Sequence, residues 1–492
     1  MNIIIVKDYQ EMSQKAAKFI LNQLAIKSDS IFGLATGSTP IGMYQKIIKA
    51  HQKYDYDFSR VKTFNLDEYI GLDKKHEQSY NYFMCQNLFS QINIKQQNIY
   101  IPDGAVKDIS KHCQEYENKI QKSSIDIQVL GIGANGHVGF NEPGSSVNSQ
   151  TRVVGLDKKT IQDNSRFFKN KKDVPKQAVT MGIETILSAK KIIILASGKN
   201  KAQAIKQMVE GKISSSCPAS FLQNHPDVYV IIDKQAASLL KKQEYKKNGW
   251  SEILVLNENI LPKNEKVLII SPHHDDSAVS CGAMIKALAK DNDVYTLVMT
   301  AGYRAAMPEL TKSEKIKARL KEAQAESKIL GSKLLFGNFK FYDQQKKFWQ
   351  DDLKKFAKIY NKIKPDIVLL PHTKDDHPTH LLSTELVMSY FKQKYMSGVE
   401  LWFYEGLWSQ HLLPTINLIF GYDKKLLNFK NKALAKHESQ ITRLPLIKAS
   451  QALTRFRATT LPEQRFVAFG QNPPHIGDYV EAYYRVAFAK RS

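Results

Sequence analysis

Short aliphatic and β-branched runs alternate with amphipathic stretches along most of the chain. Ile3–Val6, Ile31–Ala35, Lys62–Leu66, Ile125–Gly131, Lys191–Ala196 and Asp227–Ile232 are mostly apolar and lack polar alternation, which predicts strands buried on both faces. Between them, segments such as Gly42–Ala50 and Lys201–Val209 repeat apolar residues at helical spacing. That βα rhythm predicts a parallel sheet with helices on both faces. It lapses over Lys241–Glu265, a stretch rich in Lys, Asn and Glu that includes Pro262 and one short strand at Ile253–Leu256. It resumes at Lys266–Ser271 and runs on through Val294–Thr300, Asp366–Pro371 and Leu401–Tyr404. The expected fold is α/β, with two Rossmann-like domains, each a mostly parallel sheet flanked by helices on both faces. Residues 1–245 form the first, 246–264 a linker and 265–492 the second. No internal repeat joins the halves.

Size agrees, since 492 residues exceed what one hydrophobic core ordinarily organises. The formal charge of +23 raises the question of nucleic acid. However, the lysines fall singly and in short pairs, with no basic block interleaved with aromatics and no helix-turn-helix or zinc-finger spacing, so no nucleic-acid partner is expected. Cys85, Cys113, Cys217 and Cys281 are scattered without a C-x-x-C pair, which argues against a disulfide framework or a cysteine zinc site. No apolar run approaches the roughly 18 residues of a membrane span, and Met1–Asp8 lacks the pattern of a signal peptide. A cytoplasmic protein with no membrane association is expected.

Candidate chemistry gathers at strand ends. Leu34-Ala35-Thr36-Gly37-Ser38-Thr39-Pro40 joins a strand to a helix, and its small residues would let backbone N–H groups and a helix N-terminus approach an anion. Phe64-Asn65-Leu66-Asp67-Glu68-Tyr69 brings carboxylates to another strand end, where open α/β sheets carry their active sites. After a third strand, Gly131-Ile132-Gly133-Ala134-Asn135-Gly136-His137-Val138-Gly139-Phe140-Asn141-Glu142-Pro143-Gly144 sets His137 and Glu142 in one glycine-rich turn, suited to proton transfer.

These segments, with Ser79-Tyr80, Asn164–Phe168 and Ser197–Ala202, resemble the glucosamine-6-phosphate deaminase family over about residues 1–240. The fold is shared with 6-phosphogluconolactonases, but Asn65–Tyr69 and Phe140–Pro143 favour the deaminase. The resemblance implies ring opening, an aldose–ketose proton shift and loss of ammonia to give fructose 6-phosphate, without a cofactor. It assigns Asp67 as the proton-shuttling base, His137 to ring opening and Glu142 to orienting His137. It gives Gly37, Ser38, Thr39, Arg166 and Lys201 to the substrate phosphate. Asn135, where some members carry Asp, is expected to hydrogen-bond the imidazole and alter pH dependence. The partner implied is a phosphorylated amino sugar, and a homo-oligomer is expected.

The second half carries Val267-Leu268-Ile269-Ile270-Ser271-Pro272-His273-His274-Asp275-Asp276 and, about a hundred residues on, Pro371-His372-Thr373-Lys374-Asp375-Asp376-His377-Pro378-Thr379-His380. Two His/Asp-rich strand ends of one sheet suit a hydrolytic zinc site with three protein ligands and an open position. With Arg319-x-x-Glu322 and Lys436–Gln440, they resemble the PIG-L/LmbE-like deacetylases of N-acetylglucosaminyl compounds. That resemblance implies Zn2+ or another divalent metal on His273, Asp276 and His380, with Asp275 as base. It makes His377 the residue that stabilises the oxyanion or protonates the leaving amine. His274 and His372 stand as rival ligands. Ser277 replaces a usual Glu, and Thr379 a frequent Asp.

Overall fold

Among the described residues, ten strands arise from the first 240: β1 (Asn2–Val6), β2 (Ile31–Leu34), β3 (Lys62–Asn65), β4 (Asp67–Tyr69), β5 (Ile99–Tyr100), β6 (Ile127–Gly131), β7 (Arg152–Gly155), β8 (Gln177–Thr180), β9 (Ile192–Ala196) and β10 (Val228–Asp233). Seven form one sheet in the order β1-β10-β9-β6-β2-β3-β5, and every pairing in it is parallel. The runs without polar alternation lie in its interior: β9 and β10 are buried along their whole length. Parallel order places the carboxyl ends of β9, β6, β2 and β3 side by side on one edge.

The sequence pattern did not predict a second, antiparallel sheet, β4-β8-β7. It begins one residue after β3 ends and pairs Asp67 with Thr180.

The computed structural model describes all residues except 158–160, 163–164, 166–167, 169, 171–172, 242–251, 345–349, 394–397, 408, 467–472 and 488–492. Two compact units emerge, Met1–Gln52 with Tyr56–Glu252, and Lys53–Asp55 with Ile253–Ser492.

The second unit holds β11 (Leu254–Leu256), β12 (Lys266–Ser271), β13 (Asp293–Val298), β14 (Lys333–Phe336), β15 (Ile367–Pro371), β16 (Glu400–Tyr404), β17 (Leu418–Tyr422) and β18 (Tyr479–Ala487). Their order is β11-β17-β18-β16-β15-β12-β13-β14. β16, β15, β12, β13 and β14 are mutually parallel, while β18 inserts antiparallel between β16 and β17. β11, inside the stretch read as a linker, pairs with β17 as the sheet's edge.

Helix Asp276–Leu288 follows β12 and breaks at Cys281 (φ −135°, ψ 25°). A break orphans backbone N–H groups in the buried interior. Those of Ala283 and Met284 donate to the buried Glu481 carboxylate of β18, at 3.1 and 3.0 Å, and Lys430 Nζ neutralises it at 2.7 Å. The pair makes good the loss of helical bonds and ties the helix to the sheet.

Candidate active sites

In the first unit, the turn after β2 contains Gly37 at φ +91°, with no described atom beyond its chain neighbours within 4 Å of the position a Cβ would take. The backbone there is left-handed, which favours glycine. Tyr9 Oη donates to the Ser38 carbonyl at 3.1 Å and accepts from the Gly42 N–H at 2.9 Å, fixing the turn on helix Ile41–Tyr54. Ser38 is exposed and Thr39 half-buried.

Asp67 opens β4 and is buried. Burial, then the charge of Glu68, push its carboxyl up to about 8. Glu68 serves another purpose. It accepts from the N–H groups of Tyr80 (3.0 Å) and Asn81 (3.0 Å), joining Ser79 in capping helix Tyr80–Asn87.

The turn after β6 packs against Asp67. A Cβ on Gly139, at φ +57°, would sit 3.5 Å from Asp67 Oδ2 and 2.9 Å from Thr180 Oγ1. Thr180 Oγ1 accepts from the Phe140 N–H at 3.0 Å, and Asn141 Nδ2 donates to the Val138 and Met181 carbonyls. In the same turn, Asn135 Nδ2 donates to Glu142 Oε2 at 2.8 Å, while Asn135 Oδ1 accepts from the His137 N–H at 3.2 Å. His137 Nδ1 is 3.2 Å from Glu142 Oε2, without the alignment of a hydrogen bond. Gly133 makes room for the ring: a Cβ there would lie 2.3 Å from His137 Cε1.

After β9, Lys201 Nζ donates to the Ile132 carbonyl at 2.8 Å, joining that loop to the histidine turn. Arg166 lies outside the described residues. The remaining predicted residues of this half thus sit at the carboxyl ends of four neighbouring strands. Thr180 and Asn141 went unassigned in the sequence reading, although Asn141 lies inside the Phe140–Pro143 signature.

In the second unit, adjacent parallel strands β12 and β15 run into the two His/Asp clusters. His273 Nδ1 and His380 Nε2 are each 3.1 Å from Asp276 Oδ2 and 3.3 Å from one another. Two N/O ligands about 2.0–2.1 Å from a tetrahedral ion lie roughly 3.3–3.4 Å apart, so this triangle matches one face of such a site. A rival trio, His273, His377 and His380, also gathers its ligand atoms within 4.8 Å. Hydrogen bonding separates the two. His380 Nδ1 is 3.0 Å from buried Asp375 Oδ2, an arrangement that leaves Nε2 as the ligand atom. His377 Nδ1 accepts from the Thr379 N–H at 3.2 Å, which puts the proton of the neutral ring on Nε2. Burial, then the neighbouring His273 and His380, lower the His377 pKa to about 4, so the ring is neutral near pH 7. In that tautomer His377 Nε2 carries an N–H, whereas Asp276 Oδ2 lies 3.1 Å from both His273 Nδ1 and His380 Nε2.

Asp275 is buried beside them. Burial alone would raise its carboxyl, but Arg319 Nη2, 2.6 Å from Oδ1, outweighs that and holds it below the ordinary range. Arg319 also binds Glu322 at 3.0 Å and Ser439 at 3.2 Å.

The rival ligands are engaged elsewhere. Buried His274 packs by Gly302 and Phe336, and burial followed by Arg319 lowers its pKa to about 3. His372 meets His411 edge-on, with ring centroids 4.3 Å apart, and accepts from the Lys374 N–H. Ser277 Oγ donates to Glu326 at 2.7 Å, and that carboxylate holds buried His437 at 2.5 Å. Asp375 is the carboxylate the sequence reading missed: next to Asp376, it could not be singled out by spacing.

Comparison with known proteins places both halves. Over 241 residues, 49% of this chain, a glucosamine-6-phosphate deaminase of Clostridium novyi is 56% identical, and all of that protein is covered. The chain belongs to the glucosamine-6-phosphate deaminase family. A deaminase of Thermoanaerobacter pseudethanolicus is 52% identical over 247 residues, covering 50% of this chain and 98% of that one. Residues 7–230 match the family model of glucosamine-6-phosphate isomerases and 6-phosphogluconolactonases. A solved monomeric glucosamine-6-phosphate deaminase is 45% identical, covers 49% of this chain and all of its own, and has a TM-score of 0.48. Residues 268–391 match the PIG-L family of GlcNAc-PI de-N-acetylases. A deaminase-family domain is thus fused to a PIG-L domain. No helix of the described residues is long and apolar enough to cross a membrane.

Proposed function

We propose that the first unit converts glucosamine 6-phosphate and water to fructose 6-phosphate and ammonia. The observation that carries this reading is the packing of the His137–Glu142 turn against Asp67 through Gly139. Gly37–Thr39 and Lys201 would hold the phosphate, leaving C1 and C2 toward Asp67. His137, with Glu142 beside it, delivers a proton to the ring oxygen as the C1–O bond breaks, and recovers the proton that the anomeric hydroxyl gives up in becoming the open-chain aldehyde. Asp67 removes the C2 proton and returns it to C1, giving the C2 imine. Water adds to that imine, the C–N bond breaks, and ammonia leaves. Burial suits Asp67 to the task by raising its basicity. Glucosamine 6-phosphate supplied to wild type and to Asp67→Asn tests this. Ammonia and fructose 6-phosphate should form at least about a hundredfold faster with wild type than with Asp67→Asn, and no turnover by folded wild type would overturn it.

The second unit we read as a metal-dependent N-deacetylase of an N-acetylglucosamine derivative such as N-acetylglucosamine 6-phosphate. His273, Asp276 and His380 fit a divalent metal, zinc by their chemistry. When bound it would polarise the acetamide carbonyl and acidify water. Asp275, kept ionised by Arg319, accepts the proton of the attacking water. His377 Nε2–H donates to the oxygen on which negative charge develops. The amide C–N bond breaks as the proton taken up by Asp275 passes to the leaving nitrogen, releasing acetate and the free amine. Support comes from the match of the ligand triangle to tetrahedral spacing. Acetate release from N-acetylglucosamine 6-phosphate with zinc tests it, and none at any metal loading would refute it. The product, glucosamine 6-phosphate, is the first unit's substrate.

A further inference from the structure

The cavity that holds His273, Asp275 and His377 measures about 570 Å³, within the range of small-molecule sites. Three arginines line it, Arg304, Arg319 and Arg443. Arg319 is neutralised by Asp275 and Glu322. Arg304 and Arg443 are not: among the described residues neither is paired with a carboxylate at ion-pair distance, and both are exposed. Beyond Asp275 and Asp276, the one carboxylate among the lining residues is Asp376. Two arginines without a carboxylate partner therefore belong to a wall whose acids, apart from Asp376, are part of the proposed reaction centre.

Neither arginine rests on a loose support. Arg304 follows β13, donates from Nη2 to the Asp343 carbonyl at 2.6 Å, and lies 5.2 Å from the centre of the Tyr342 ring. That cation–π contact and the Nη2 bond hold the guanidinium while leaving other N–H donors available. Arg443 sits on the turn after helix Glu438–Ile441, its N–H bonded to the Gln440 carbonyl at 3.1 Å. Ser439, in the same segment, donates through both N–H and Oγ to Glu322 at 2.8 Å. Glu322 in turn binds the Arg319 that holds Asp275. The segment that carries Arg443 is thus tied to the proton acceptor by two shared side chains.

We propose that Arg304 and Arg443 form an anion subsite that takes the phosphate of a phosphorylated acetamido sugar, selecting it over the neutral sugar. This rests on the deacetylase reading of the cavity. Two guanidinium side chains on the wall of one cavity suit a phosphate because their fixed N–H forks match its oxygens. The phosphate is not consumed: it anchors the sugar while the amide bond is cleaved at the other end.

The test uses the zinc-loaded full chain with N-acetylglucosamine, its 6-phosphate and its 1-phosphate, following acetate. Wild type should favour one phosphorylated sugar by at least tenfold in kcat/KM, and which one identifies the position of the phosphate. Arg304→Gln and Arg443→Gln should each lower that value, mainly through KM, at least tenfold more than the value for neutral sugar. Retained turnover of the neutral sugar by each variant reports that the second unit is folded. Equal use of all three sugars by wild type, or equal losses on charged and neutral sugars in the variants, overturns the subsite. If no sugar yields acetate, the metal-stripped full chain is titrated calorimetrically with both phosphosugars. A binding event lost in the double Arg304→Gln, Arg443→Gln chain upholds the subsite and removes only the deacetylase reading. Isotherms identical to wild type overturn the subsite itself.

Discussion

At residue scale, the proposed chemistry of the first unit turns on a carboxylate kept out of water. Because burial and Glu68 raise Asp67 to about 8, the base is largely protonated at neutral pH and gains its active form as pH rises. The expected kcat/KM for glucosamine 6-phosphate therefore climbs from pH 6.5 to about 8.5, and a flat profile across that interval would contradict the assignment. Asp67→Asn should lower kcat by about 10²–10⁴-fold, the range for loss of a positioned acid–base group. Gly133→Ala offers a separate probe. The added methyl would lie 2.3 Å from His137 Cε1, yet Gly133 is not among the positive-φ residues, so no backbone strain accompanies it. It should displace the imidazole, lowering kcat at least tenfold with little change in Tm; an unaltered kcat would mean that the ring position does not limit ring opening.

The scale of elements separates what the sequence could reveal from what it could not. β9 and β10 were legible because strands buried on both faces are written as unbroken apolar runs. β4 was not: Asp-Glu-Tyr has no strand pattern of its own and takes its conformation from pairing with β8, more than a hundred residues away. β18 belongs to the same class, since its position between β16 and β17 is set by two antiparallel partners remote in sequence. Site residues divide likewise. His273–Asp276 and His377–His380 could be read because local spacing carries them, whereas the bond from Arg319 to Asp275 crosses 44 positions and no periodicity announces it. That bond gives an element-scale prediction. Arg319 lets helix Lys312–Leu330 grip Asp275, Glu322 and Ser439 together through a planar fork. Lysine has one donor point and cannot serve all three. Arg319→Lys should cut acetate release at least tenfold and leave ammonia release from glucosamine 6-phosphate intact; losses in both would instead signal a folding defect. Asp375→Asn should weaken zinc binding about 10–100-fold by freeing the His380 tautomer, measured by competition with a chromogenic chelator, and unchanged affinity would remove Asp375 from the site's support.

For the whole molecule, two chemistries in one chain need not be one machine. The first unit's proposed reaction uses only side chains, and the second's depends on a metal, so chelation should abolish acetate release and spare deamination. The intermediate that would connect them is a small, charged, water-soluble sugar phosphate, free to leave one cavity and enter another. Full conversion of N-acetylglucosamine 6-phosphate should then survive when the activities are on different chains. A mixture of Asp67→Asn and Asp275→Asn proteins, each inactive alone in forming ammonia from the acetylated sugar, should together release acetate and ammonia in equal amounts. Ammonia should lag behind acetate while glucosamine 6-phosphate accumulates, and the lag should shorten as the Asp275→Asn chain, which retains the deaminase, is raised. Acetate without ammonia from the mixture, with each partner active on its own remaining substrate, would mean that the deacetylated product is not the sugar phosphate the first unit takes. The two domains would then share a chain without sharing a substrate.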